Sequence, residues 1–254
     1  MFDGIEEHSM APNELSRDQL LQQLMNVTHV QFGKDKTAKK RKRTPNELNW
    51  TKKSFFFKLP YWSTLKLRHN LDVMHIEKNI CDNVLGTLLN IDGKTKDSVK
   101  AQKDLCHMDI RKELHLQTND TSTSMPHVKY TLSKAEKTKF FDWFKCVKFP
   151  DKYASNISRC VNTQKGKISE MKSHDFHVLL QRLLPIAIRG YFLTEIHTPL
   201  IELCFFFKEL CSRTLKLDVL NRMKHDIVVI LCKLEMIFLP AFFDVMVHLA
   251  VHLP

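Results

Sequence analysis

The sequence predicts a mainly α protein, and three observations carry that reading. Only six of the 254 residues are glycine, too few for the many tight turns of a β-rich fold. Seventeen are phenylalanine, set among many leucines, which suits helices packed on helices. Apolar residues also recur at helical spacing in five stretches of the second half, punctuated by Pro150, Pro185, Pro199 and Pro240. The hydrophobic share of 43% is enough for a packed core, in one large or two small domains.

Taken in order, Leu15 to Val30 is an amphipathic stretch with Leu20, Leu21, Leu24 and Val27 at helical spacing and Ser16 as its cap. Residues 34–49 form a charged linker that Pro45 closes to any helix. Residues 50–62 are aromatic and read as a short strand ending at Pro60. A helix is expected from about Ser63 to Leu89, with Leu67, Leu71, Met74, Cys81, Leu85 and Leu88 on one stripe and Gly86 tolerated inside it. Residues 90–131 are polar and read as irregular, with Thr118 to Ser124 a loop. Helices follow at 133–147, 170–190, 195–213, 215–238 and 241–253, the first opened by a Ser133/Glu136 capping box.

The formal charge is +11 and the pI about 9.3, a balance that attracts polyanions. Five of the positive charges form one run, Lys39-Lys40-Arg41-Lys42-Arg43, of the kind that contacts phosphates or serves nuclear import. The seven cysteines are odd in number and none is spaced CxxC, so reduced intracellular thiols are expected. Met1 to Met10 is polar, without the pattern of a signal peptide. Ile227 to Pro254 is apolar but broken by Lys233, Glu235 and Asp244, which argues for a buried helix and no membrane span. P-loop, GxGxxG, GxSxG, HExxH and CxxC zinc-finger patterns are absent, so NTPase, dehydrogenase, hydrolase and zinc-finger readings lack their signatures.

Two dense strings remain. The first runs Arg68-His69-Asn70-Leu71-Asp72-Val73-Met74-His75-Ile76-Glu77-Lys78-Asn79. The second runs Lys172-Ser173-His174-Asp175-Phe176-His177 and continues to Pro185. On a helix Asp72 and His75 are neighbours on one face, whereas Glu77 is rotated away from Asp72, so the two acids do not chelate one metal. From the residues alone this is an ordinary helix whose acids cap it or face solvent.

Together and in this order, the strings resemble the transposases of plant CACTA (En/Spm-type) transposons. The first, within roughly 45–117, is similar to the end of a tnp2-type transposase core. The second, within 170–254, is similar to the helical region catalogued as DUF4218. The resemblance implies a helical region attached to the remnant of a ribonuclease-H-like core. It divides the chain into an N-terminal remnant and basic linker (1–49), a core remnant (50–117), a linker with a short helix (118–169) and a truncated DUF4218-like domain (170–254). In the intact family three carboxylates hold Mg²⁺, and the resemblance makes Asp72 or Glu77 the second of them. Before Asp72, acids such as Asp3, Glu6 and Glu7 lie in no recognisable catalytic strand, and the resemblance would put the third carboxylate in the family's region that follows the match to His252-Leu253-Pro254.

His174-x-x-His177 and His248-x-x-x-His252 have zinc-like spacing, against the plainer reading of local hydrogen bonds. The expectation is thus a truncated, nuclear, transposon-derived protein that does not cut DNA and needs no cofactor as a fragment, with Zn²⁺ as the cofactor its histidines allow. Its partners would be DNA, an intact transposase or a second copy of itself. The rivals are an active metal-dependent transposase or nuclease, and a helical interaction module dimerising through 195–253.

Overall fold

The computed structural model describes residues 8, 10, 15–25, 54–64, 71–119, 122–154, 156–164 and 166–254. The basic run Lys39–Arg43, the end of the expected N-terminal helix and the start of the Arg68 string lie outside them. The chain divides into two compact units, Glu6–Asn70 and one taking in Leu71–Pro254. In the first unit, α1 spans Arg17–Met25. Ser16 opens it reciprocally, its hydroxyl accepting from the Gln19 N–H at 3.2 Å while its own N–H donates to Gln19 Oε1 at 2.8 Å. The aromatic segment is not the expected strand but two 3₁₀ turns, Phe55–Lys58 and Trp62–Thr64. Ser54 caps the first turn through the Phe56 N–H, and Phe57 meets Trp62 edge-on at 4.8 Å.

The second unit is mainly helical, as expected. Its first helix, α2 (Val73–Leu88), starts later than the periodicity suggests, because Asp72 is extended and its carboxylate accepts the His75 N–H at 3.1 Å. The buried stripe of α2 is Ile76, Ile80, Cys81, Val84, Leu85 and Leu88. Two elements depart from the expectation for 90–131. Helix α3 (Val99–His107) has few apolar residues, and it buries Ala101 and Leu105 against Leu239 in a small satellite core. Strands β1 (Gln117–Asn119) and β2 (Ser122–Ser124) form a short antiparallel hairpin where a loop was expected.

Helix α4 (Lys134–Cys146) has the expected capping box and buries Phe140, Phe141 and Phe144. A 3₁₀ turn, Ile157–Cys160, leads into a second hairpin, β3 (Val161–Asn162) with β4 (Lys167–Ile168). The helix expected over 170–190 is three segments on one path: α5 (Ser173–Val178), a π-helical turn (Leu179–Leu183) and α6 (Leu184–Ala187). Pro185 accounts for the wide turn. It has no N–H to give the carbonyl four residues back, and its ring would strike that carbonyl in an α-helix.

Helices α7 (Thr194–Leu210) and α8 (Leu217–Glu235) pack against each other. After a 3₁₀ turn at Pro240–Phe242, Asp244 caps the short α9 (Val245–Leu249). One core runs through α2, α4, α5–α6, α7, α8 and α9, with Phe141, Phe144, Phe207, Phe238 and Phe242 fully buried. Of the Phe205–Phe207 run, Phe206 and Phe207 join that core while Phe205 remains 47% exposed. No helix among the described residues is long and apolar enough to cross a membrane.

Candidate functional site

Helix α2 carries Glu77 into the molecule one turn after its cap, and α5 with its π turn approaches from the far half of the sequence. The carboxylate is 1% exposed. Glu77 Oε1 accepts from Gln181 Nε2 at 2.9 Å, and Glu77 Oε2 lies 2.9 Å from His177 Nδ1. The second amide hydrogen of Gln181 goes to the Phe207 carbonyl at 3.1 Å. Both hydrogens of that amide are therefore occupied, and His177 must be the donor to Glu77 through Nδ1–H.

Cys211, just past the end of α7, completes the cluster. Among the described residues, Glu77, His177 and Cys211 are the group of three whose ligand atoms all lie within 4.8 Å of one another. Burial pushes the Cys211 thiol up, the Glu77 charge pushes it further, and a hydrogen bond with Gln181 opposes both. Cys204 is also raised, first by burial and then by Glu77. These thiols are thus protonated neighbours of a buried carboxylate.

The cluster joins the two strings of the sequence, since Glu77 comes from the first and His177 and Gln181 from the second. The other candidates are elsewhere. Asp72 is spent on its cap. His174 is exposed and stacks on His177 with ring centroids 6.0 Å apart. His248 and His252 are exposed and face each other, Nε2 to Nε2, at 3.3 Å. The four histidines do not meet in one ligand group among the described residues, nor do three carboxylates. Sequence reading missed Gln181 and Cys211. Gln181 had a signal, as a lone amide in the apolar run Val178 to Leu184 and one turn from His177; Cys211 had none.

A second feature is the open cavity of about 980 Å³ lined by Arg111, Tyr130, Ile196, Pro199 and Ile237, among others. Arg111, in a left-handed conformation at φ 50°, turns its guanidinium onto the carbonyls of Glu235, Ile237 and Phe238 and so closes the C-terminal end of α8.

Residues 210–254 match DUF4218, a domain of unknown function. No curated protein and no solved structure matches the chain. The DUF4218 segment supplies Cys211 to the cluster and α8 and α9 to the core. It is also tied to α2 outside it: Asp244 accepts from Asn83 Nδ2 at 2.9 Å and from Lys96 Nζ at 3.0 Å. Burial raises the Asp244 carboxyl, but these bonds and the backbone of α9 outweigh it and leave its pKa below the usual carboxylate value.

Proposed function

We propose that the chain is a transposon-derived nuclear protein that holds duplex DNA and does not cut it. DUF4218 is a domain found in plant transposon-derived proteins, and the two strings that resemble CACTA transposases meet at one buried cluster. In this reading residues 50–117 descend from a ribonuclease-H-like transposase core. The observation that carries the non-catalytic half is the state of Glu77. A catalytic magnesium needs oxygen ligands open to water and phosphate. Glu77 is instead buried, hydrogen-bonded by His177 and Gln181, with a thiol beside it. Those residues do not fit Mg²⁺. The binding half rests on the net charge of +11.

Fluorescence anisotropy with a labelled duplex should show binding that is indifferent to sequence and falls steeply with salt. A supercoiled plasmid with Mg²⁺ or Mn²⁺ should stay unnicked. Metal-dependent nicking that Glu77→Gln abolishes would replace this reading with an active nuclease, and no binding at low salt would end the DNA half.

A second reading concerns zinc. Glutamate, histidine and cysteine within 4.8 Å are a donor set that zinc accepts. Glu77, a ring nitrogen of His177 and Cys211 Sγ would hold the ion in a structural role, the hydrogen that His177 Nδ1 now gives Glu77 being lost or moved to Nε2 if Nδ1 is the ligand. A ligand bound only to the folded state adds about 2.7 kcal/mol when its concentration is about a hundred times Kd. Zinc should therefore raise the far-UV circular dichroism melting midpoint above that in chelator. The response should grow with pH, because the raised Cys211 thiol must lose its proton to bind. It should vanish in Cys211→Ser. Equal midpoints with zinc and with chelator would remove the ion from the account.

A further inference from the structure

We infer that the cleft between α4 and the β3–β4 hairpin is a groove for the phosphate backbone of DNA; this rests on the DNA-binding reading and assigns it residues other than Lys39–Arg43. Positive charge is concentrated here. Residues 139–172 hold eight Lys and Arg against three Asp and Glu, a net +5 of the whole chain's +11. The cleft has a volume of about 380 Å³, and Lys145, Arg159, Asn162, Thr163, Gln164 and Ser169 line it with Glu170 as the one acid.

The local fold brings these groups together. Val161 pairs with Ile168 and both face the core, so their neighbours Asn162 and Lys167, also paired, point outward beside the cleft. Lys145, on the last turn of α4, donates to Thr163 Oγ1 at 3.1 Å, which holds its ammonium over the hairpin. The loop from α4 to the 3₁₀ turn adds Lys148 and Lys152, both exposed, and Tyr153, which is 48% exposed with Phe149 behind it at 5.7 Å.

These cations are not balanced internally. Elsewhere in this unit Lys94, Lys96, Lys112, Arg222 and Lys233 sit against a carboxylate, while scattered others such as Lys216 and Lys224 do not. Among the described residues Lys145, Lys148, Lys152, Arg159 and Lys167 have no such partner. Uncompensated cations interleaved with amides and hydroxyls are the donors that bind phosphate oxygens without reading bases. Their spread from the cleft along the adjoining loop suits a chain of phosphates better than a single one.

The test compares three proteins by anisotropy with a labelled duplex across a salt series. They are the wild type, Lys145→Gln/Arg159→Gln/Lys167→Gln, and the charge-matched control Arg213→Gln/Lys216→Gln/Lys224→Gln, exposed residues of the turn before α8 and of its first half. The cleft variant should bind at least tenfold more weakly at low salt. Its slope of log K against log salt should flatten by about 2.7, at about 0.9 per lost phosphate contact. The control should lose less than half as much. If the cleft variant melts below the wild type, Lys148→Gln/Lys152→Gln serves in its place, with a slope flattened by about 1.8. An unchanged slope, or a control that loses as much as the cleft variant, overturns the groove and leaves the general DNA reading standing. A wild type that binds no duplex overturns the DNA reading itself.

Discussion

Gln181→Ala should destabilise the protein by about 3 kcal/mol, read as a lower urea midpoint at unchanged m value. The amide donates to Glu77 Oε1 and to the Phe207 carbonyl. The carbonyl also accepts the Cys211 N–H at 3.0 Å, so it stays satisfied. The carboxylate does not have that reserve. At 1% exposure it would keep only His177, and an under-bonded buried charge costs more than a lost neutral hydrogen bond. Glu77→Gln, which removes the charge and keeps the shape, should cost only about 1 kcal/mol. Combined with Gln181→Ala it should cost less than the sum of the two, because the groups are in contact. A Gln181→Ala protein within about 0.5 kcal/mol of wild type would mean that Glu77 is not held as an anion by this amide.

Gly86→Val should cost a similar amount, about 3 kcal/mol, although the change replaces a poor helix former within a helix. The reason is the chain that returns over α2. A Cβ at position 86 would lie 2.9 Å from both the Cβ and the carbonyl oxygen of Lys94. Backbone cannot swing aside as a side-chain end can. That return is fixed at several points: the Ile91 N–H bonds to the Gly86 carbonyl at 2.8 Å, the Lys96 N–H to Thr87 Oγ1 at 3.3 Å, and Lys94 Nζ to Asp82 at 2.8 Å. Asn90 and Gly93 make the reversal with positive φ. Chemical denaturation measures the loss, and a Gly86→Val protein of wild-type stability would show that the 90–95 segment is free to lift away.

Both predictions turn on contacts that periodicity does not encode. The stripe of α2 was legible only in its second half, at Cys81, Leu85 and Leu88, whereas Met74 is exposed and Ile76, Ile80 and Val84 are buried in its place; the Ser133/Glu136 box, a purely local device, was legible in full. Glycine at 86 looked merely tolerated, since what excludes a side chain there is a loop eight residues on. Helix α3 was illegible for a related reason: it buries only two apolar residues, Ala101 and Leu105, beside the amide of Gln102, and they pack against Leu239, which is remote in sequence. Pro185 read as punctuation, whereas the chain runs through it by widening one turn. At the site, the acids and histidines stood out by type, but their grouping did not. Spacing paired His174 with His177 and His248 with His252. The fold instead sets His177 against Glu77, a hundred positions away, and adds Gln181 and Cys211.

The bond between Asn83 and Asp244 spans 161 positions, and that separation bears on how the molecule is made. During synthesis α2 emerges well before α5 and α9, which pack against it. Until then the helix lacks both of those covers. Closing so long a loop is slow, because its entropy is lost before the contacts repay it. The nascent chain therefore passes through a period in which α2 is a sticky surface, open to misassociation or to a chaperone.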